Sequence, residues 1–208
     1  MDEGLETSDR ILKESEQLFF RYGVKSITMD EIATHLGISK KTIYQFFQDK
    51  KELVLKVVES RLLAQEKEML DITDKAADPV QEVILISEWL REFFQNLNPY
   101  LMMEIQKYYP KAYGVFLQHK QKCMLENIYD NIKKGVAVGL YRPTIDMDTI
   151  ARLRMISVEA SFNPDNFPLA KKNFNEVQLQ LIDHFLYGIC TLKGHKLINK
   201  YKQIKEEE

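Results

Sequence analysis

Apolar side chains recur every three or four residues along most of the 208-residue chain. That spacing places them on one face of an α-helix, and no segment shows the sustained apolar–polar alternation of a half-buried strand. The pattern therefore predicts an all-α fold. The predicted helices cover about 8–22, 28–36, 40–47, 50–72, 79–96, 100–108, 112–137, 170–192 and a segment from Asp146 or Asp148 to about 160. The acidic residues 1–6 are expected to be mobile, and a lysine-rich tail is expected from Gly194 onward.

The stretch from Thr28 to Lys51 carries the most specific local signals in the chain. Thr28 followed by Glu31 is a capping box, which predicts a helix start. Gly37 ends that helix, because glycine adopts positive φ at little cost, and Ser39 caps a second short helix. Two short helices joined by a tight turn with glycine form a helix-turn-helix, whose second helix enters the DNA major groove.

The second helix of this pair has the side chains that contact DNA. Ile43 and Phe47 lie four residues apart and are predicted to pack inward. The outward side chains are cations, hydroxyls and an amide, which bind phosphates and base edges: Lys40, Lys41, Thr42, Tyr44 and Gln45. Four lysines and one aspartate give residues 37–51 a charge of +3, whereas the whole chain carries −2. The alternative is an ordinary solvated face, but caps, turn and outward face together favour a DNA reader.

This stretch resembles the DNA-binding domain of the TetR family of bacterial repressors. The resemblance covers about the first 60 residues. It rests on Leu18, Phe19, Tyr22, Gly23, Thr28, Ile32, Ala33, Leu36 to Ser39, Thr42 to Tyr44, Phe47, Lys50, Glu52 and Leu53. The sequence departs from the family at Phe46, where His or Tyr is common, and at Lys41, where Gly is common. The remainder of the chain is similar to the family in helix pattern and length only.

The resemblance implies a helix-turn-helix domain over residues 1–50 and a larger helical effector-binding and dimerisation domain over residues 51–208. A long helix over about 50–72 would connect the two and transmit motion. It also implies a homodimer that binds a palindromic double-stranded operator and a small apolar or amphipathic effector that releases it. A regulator without an effector, or an activator, remains open at this point.

The DNA-contacting residues divide by chemistry. Lys41 and Gln45 are assigned to base edges, because Lys suits guanine O6/N7 and Gln suits adenine N6/N7. The helix start at Thr28 is expected to offer backbone amides to a phosphate. The remaining candidates are assigned to phosphates, with Lys40 able to do either: Thr42, Tyr44, Lys50 and Lys40.

The last two long helices are predicted to form the dimer interface. The final one has apolar residues on more than one side, whereas a terminal helix with one neighbour buries a single stripe. The candidate interface residues are Ile150, Leu153, Ile156, Leu181, Ile182, Phe185 and Ile189. The alternative is a helix buried wholly within one subunit.

Aromatic, Met and His side chains in the middle of the chain are candidates for an effector cavity. Met and aromatic groups give an adaptable apolar wall, and Tyr and His can orient a ligand. The candidates are Trp89, Phe93, Met103, Tyr108, Phe116, His119 and Met124. The alternative is that these residues are ordinary core.

Composition narrows the remaining classes of function. The chain contains none of the common catalytic or cofactor motifs HExxH, GxSxG, GxGxxG, Walker loop and CxxC, so we expect neither enzymatic activity nor a cofactor. The four histidines lack the spacing of metal ligands, so we expect no bound metal. A helical enzyme or carrier with an incidental DNA-like head is the rival from another class. The acidic first residues are not a signal peptide, and no apolar run reaches the ~18 residues of a membrane span. We expect a cytoplasmic protein without membrane contact.

Overall fold

The computed structural model describes residues 2–95, 97–161, 166, 167 and 174–204, and within these ranges the predicted all-α fold is confirmed. The α-helices are α1 Asp2–Tyr22, α2 Met29–Leu36, α3 Lys40–Phe46, α4 Lys50–Lys75, α5 Pro79–Phe94, α6 Leu101–Tyr108, α7 Pro110–His119, α8 Leu125–Ala137, α9 Met147–Ser161, α10 Phe174–Ile189 and α11 Leu192–Tyr201. None of the helices in these ranges combines the length and apolar character that crossing a membrane requires.

The chain forms two compact units. The first unit contains Met1–Glu66 and Asn96–His119, and the second contains Lys67–Gln95 and Lys120–Glu208. The helix-turn-helix therefore shares its unit with α6 and α7, which sequence analysis assigned to the effector domain. These are the first unit and the second unit.

The first unit has one continuous core. Phe19, Ile32, Ile43, Leu53 and Leu101 are almost completely buried in it. Helix α1 begins at Asp2, earlier than the predicted start at about residue 8, so residues 2–6 are helical. Acidic residues stabilise a helix N-terminus because they complement the helix dipole. An acidic segment is therefore as compatible with the start of a helix as with a mobile tail.

The helix predicted over residues 112–137 is present, but it is not regular throughout. A π-helical turn, Lys120–Met124, separates α7 from α8. A π turn adds a residue to one helical turn and leaves a 3.6-residue pattern on each side, so periodicity does not reveal it. The boundary between the two units falls at the start of this turn.

The second unit is organised around a buried tyrosine. The Tyr141 hydroxyl donates to the Pro79 carbonyl at 2.9 Å, and the Asn131 side chain donates to the same carbonyl at 3.0 Å. A Cβ at Gly135 would lie 2.1 Å from the Tyr141 ring, so only glycine allows this approach. Gly139, with φ of +72°, lies just after the C-terminal end of α8.

The C-terminal segment is helical, which differs from the prediction. Residues 194–201, predicted as part of a lysine-rich tail, belong to α11, which begins at Leu192 and is capped by Thr191. Ile198 is fully buried in the core of the second unit. Gly194, where the tail was expected to begin, lies inside α11, and an added Cβ there would be 2.4 Å from the Leu140 carbonyl oxygen. The predicted start of the preceding helix at Ala170 lies outside the described residues.

Candidate nucleic-acid interface

The helix α2 begins with the predicted capping box. The Glu31 backbone amide donates to Thr28 Oγ1 at 3.2 Å, and the Thr28 amide donates to Glu31 Oε2 at 2.6 Å. These hydrogen bonds with the backbone and side chain of Thr28 lower the pKa of the exposed Glu31 carboxyl. The reciprocal bonds define the exact start of α2. On the opposite face, the apolar residues of α2 are buried in the core: Met29, Ile32, Ala33 and Leu36.

A tight turn sets the orientation of the second helix. Gly37 has φ of +66°, and the following Ile38 amide donates back to the Ala33 carbonyl at 3.0 Å. Ser39 then caps α3, accepting from the Thr42 amide at 3.1 Å. Both predicted signals, the glycine stop and the serine cap, are present.

Helix α3 presents a polar face around an apolar anchor. Ile43 is completely buried and Phe47 nearly so, which leaves the outward positions free of the core. Lys40, Lys41 and Gln45 are exposed, and Tyr44 is 44% exposed. Phe46, which departs from the family pattern, is half-buried and packs against the core.

On α3, the predicted DNA-contacting residues Lys40 and Thr42 have side-chain partners on the protein. Lys40 Nζ lies 2.8 Å from Asp30 Oδ2, which raises the pKa of Lys40 through that hydrogen bond. The Thr42 hydroxyl lies 2.8 Å from Ser39 Oγ. Both pairs are at the surface, where water and phosphate oxygens compete with them, and surface ion pairs are weak.

Lys50 differs from the other candidates because its ammonium group lies within the first unit. Nζ donates to the Val24 carbonyl, and the Phe19 and Tyr109 ring centres lie 5.9 Å and 5.8 Å away. Desolvation lowers the pKa of Lys50, and Glu104 partly opposes this. Its predicted contact with a phosphate would require this bond to be exchanged.

Three residues that support the helix-turn-helix were missed by sequence analysis. Arg10 of α1 donates to the Leu36 carbonyl at 3.1 Å, which satisfies an end carbonyl of α2. Glu104 of α6 accepts from the Lys25 amide at 2.9 Å. Asp30, the partner of Lys40, is the third. The sequence around a charged helix residue does not show which distant residue that side chain will bind.

The predicted effector-lining residues are divided between the two units. In the second unit, Trp89 stacks on Phe93 with ring centres 5.2 Å apart, and Trp89 Nε1 donates to Glu68 at 3.0 Å. Met124 of that unit is half-buried in the π turn.

The other four predicted effector residues belong to the first unit. Met103 and Tyr108 are exposed, at 53% and 39%. Phe116 stacks on Tyr113 at 6.1 Å, and His119 Nδ1 lies 3.2 Å from Glu66.

A groove of about 340 Å³ lies on the second unit between α8 and α9. None of the predicted effector residues lines it. Three of its lining residues are exposed acids, so its chemistry suits a cation or water better than an anion. The groove is lined by Leu125, Glu126, Tyr129, Asp130, Asp148 and Ala151.

The predicted dimer residues differ in exposure. Ile182 and Ile189 are buried in the core of their own unit. Ile150 and Phe185 pack against that core, and Leu181 is half-buried. Leu153 and Ile156 of α9 are the exposed members, at 55% and 60%. They lie three residues apart and form one apolar strip, which we call the α9 strip.

Comparison with known proteins connects this geometry to a family. A model of the bacterial regulatory proteins of the tetR family matches residues 11–57, which include all of α2 and α3. The uncharacterized HTH-type transcriptional regulator YvaF of Bacillus subtilis (strain 168) is 35% identical over 190 residues, covering 88% of this chain and 95% of that protein.

Two further proteins extend the similarity over most of the chain. The HTH-type transcriptional repressor KstR2 of Mycolicibacterium smegmatis is 23% identical over 194 residues, which cover 90% of this chain and 93% of that protein. The crystal structure of a TetR-family transcriptional regulator from Agrobacterium tumefaciens has a TM-score of 0.74 at 17% identity, covering 90% of this chain and all of that one (100%). The resemblance drawn from the sequence is confirmed.

Proposed function

The chain belongs to the TetR family of bacterial regulatory proteins, and from this premise we propose that it is a homodimeric, sequence-specific repressor. As a family member it is a transcriptional regulator with a DNA-binding helix-turn-helix. In the proposal it acts in the cytoplasm on a palindromic operator, and a small apolar or amphipathic effector releases it. The observation that carries the proposal is the exposed polar face of α3 around the buried Ile43.

Base reading is proposed for Lys41 and Gln45. Both are exposed on α3, on a helix held by a defined turn and cap. A Lys on guanine and a Gln on adenine give about 1–3 kcal/mol of discrimination per base pair. Because neither side chain is buried in the protein, neither gives up packing to reach a base.

Phosphate binding is proposed for Thr42, Tyr44 and the amide end of α2 at Thr28. Lys40 binds either a phosphate or a base edge, and to do so its ammonium group leaves its ion pair with Asp30. Phosphate contacts position a protein on DNA and make its affinity depend on salt. The proposal therefore expects binding to weaken steeply as salt rises.

The sequence predicts a phosphate contact for Lys50, and the position of its side chain supports a second role. The ammonium group binds the Val24 carbonyl just before α2, between two aromatic rings. Lys50→Met separates the two roles. A lower melting temperature with an unchanged salt slope supports bracing of the helix-turn-helix, whereas a flatter salt slope at unchanged stability supports the phosphate contact.

Dimerisation is proposed through the α9 strip. An exposed apolar strip on a surface helix is the kind of surface that a two-fold partner covers, because the same patch meets itself. A two-fold dimer also presents two α3 helices to successive major grooves of a palindrome. The remaining predicted interface residues would then support the strip from inside the protomer.

Capture of sheared genomic DNA by the purified protein, followed by sequencing, tests the proposed function. The proposal predicts a few strongly enriched fragments, and predicts that the double variant Lys41→Ala/Gln45→Ala loses the enrichment. The control Lys111→Ala/Gln118→Ala changes the same residue types on the exposed surface of α7 and should keep it. A helical enzyme or carrier with an incidental head would enrich no fragment, which would refute the proposal.

A further inference from the structure

Arg154 of α9 is a buried cation without a carboxylate partner among the residues that the structure describes. It is 7% exposed, and its guanidinium carbon lies 5.8 Å from the centre of the Phe185 ring on α10. Its Nη1 atom is buried and has no hydrogen-bond partner among the described residues. Burial lowers the pKa of Arg154 to about 10. A buried charge is normally paired, because desolvating an unpaired ion costs several kcal/mol.

The described acids of α9 and α10 are either paired with other cations or exposed. On α9, Asp148 accepts from Arg152 Nε at 2.7 Å, and Glu159 pairs with Lys120. On α10, Asp183 pairs with Lys202 and Glu176 is exposed. The guanidinium charge is therefore not neutralised by the described acids of the two helices that hold it.

A second unpartnered polar atom lies between the same two helices. Gln178 of α10 is 3% exposed, and its Nε2 donates to Ser161 of α9, but its Oε1 atom has no partner in the described part of the chain. The contacts Arg154–Phe185 and Ser161–Gln178 are seven residues apart on each helix, which is about 10 Å along the axis. One buried donor and one buried acceptor thus lie at two levels between α9 and α10.

We propose that the second unit binds a small molecule whose anionic head, a carboxylate or a phosphate, pairs with the guanidinium group of Arg154. The planar guanidinium fits either head through two parallel hydrogen bonds. The apolar body of the ligand extends between α9 and α10 toward Gln178, whose free oxygen accepts a hydrogen bond from a hydroxyl or amide on the ligand. This inference rests on the proposed function, because it names the chemical class of the effector.

The position of Arg154 favours a small molecule over a carboxylate from a second copy of the chain. Arg154 shares the inner face of α9 with the buried Ala151 and Met155, whereas the α9 strip of Leu153 and Ile156 lies on the outer face. A partner that covers the strip therefore does not reach the guanidinium. The acidic groove between α8 and α9 is a different place, since its carboxylates would repel an anion.

The test uses straight-chain carboxylates of four to twelve carbons, each compared with its uncharged amide and with the alkyl phosphate of equal length. Binding is followed by the fluorescence of Trp89, the single tryptophan of the chain, which lies in the second unit. At least one anion of the series should bind, and its amide should bind about 10- to 100-fold more weakly, as expected for a lost charged hydrogen bond. Stronger binding of the carboxylate or of the phosphate identifies the head group.

Two variants of α9 make the test specific. Arg154→Met should weaken anion binding to the level of the amide. Arg152→Met removes an exposed arginine two residues earlier on α9 and should leave anion binding unchanged. Without ligand, Arg154→Met should melt no lower than the wild type, since an unpaired buried charge is removed. The inference is overturned if no anion binds better than its amide, if Arg154→Met keeps the preference, or if that variant melts more than ~5 °C lower.

A parallel measurement of DNA binding separates this inference from the proposed function. The ligand-free wild type and Arg154→Met should bind the captured genomic fragments equally well, and the bound anion should release only the wild type. Absence of specific DNA binding by the wild type would refute the proposed function. Specific DNA binding that no anion of the series releases would refute the inference and leave the proposed function standing.

Discussion

Replacement of Leu153 by alanine is expected to weaken the dimer by a calculable amount. The change removes three carbon atoms, worth ~2.4 kcal/mol on full burial at ~0.8 kcal/mol per methylene group. Leu153 is 55% exposed in the protomer, so a partner can bury only that part. This gives ~1.3 kcal/mol per protomer and ~2.6 kcal/mol for the two copies of a two-fold dimer, or a roughly 80-fold weaker dissociation constant.

Sedimentation equilibrium over a wide range of protein concentrations measures this dissociation constant. Leu192→Ala is the matched control, because Leu192 is 81% exposed on α11 of the same unit but lies outside the α9 strip. It makes the same chemical change and should leave the dissociation constant unaltered. An unchanged constant for Leu153→Ala, or equal weakening by Leu192→Ala, would refute the assignment of the interface to the α9 strip.

Three further changes have defined outcomes. Gln45→Ala should cost about 1–3 kcal/mol at one base pair of the operator and little at the others, measured by fluorescence anisotropy on single-base variants. Gly194→Ala should lower the melting temperature, because the new Cβ would lie 2.4 Å from the Leu140 carbonyl oxygen. The pKa of Glu31 in the folded protein is lowered by its hydrogen bonds with Thr28. The ionised carboxylate therefore stabilises the fold at pH values above the ordinary pKa of Glu, and this stabilisation is lost as the pH falls through the pKa of the folded protein. Glu31→Gln should therefore flatten the dependence of melting temperature on pH below ~4.5.

Each of these changes has a control or a contrary outcome. Gln48→Ala alters an exposed amide just outside α3 and should leave base discrimination intact; equal loss on every sequence for Gln45→Ala would refute base reading. Gly114→Ala meets no atom within 4 Å and should not lower the melting temperature. A Glu31→Gln variant that keeps the wild-type pH dependence would show that the capping carboxylate is not its source.

The features of the first unit that follow from local chemistry were predictable from the sequence. The Thr28 capping box, the Gly37 turn and the Ser39 cap each involve residues within five positions of one another, so residue types and spacing specify them. The inward position of Ile43 follows from helical periodicity in the same way. Contacts between distant residues were not predictable, as with Glu104 and the Lys25 amide, 79 positions apart.

The sequence does not show whether an apolar helix residue faces the core of its own unit or a partner. Ile182 and Leu153 are both apolar helix residues, yet one is buried in its own unit and the other is exposed. Periodicity identifies an apolar face but not what covers it. Gly194 gave a similar difficulty, because a glycine that permits close packing inside α11 has the same local appearance as one that ends a helix.

Selection of random double-stranded DNA by the purified protein at ~0.15 M salt, followed by sequencing, tests whether α3 reads DNA sequence. We predict an enriched palindrome whose half-sites lie about one helical turn of DNA apart, or a multiple of it, as two α3 helices on a two-fold axis require. Gln45→Ala should lose preference at one position of each half-site. If no sequence is enriched over the input pool, either with or without the anions of the series, the assignment of α3 as a reader of DNA is contradicted.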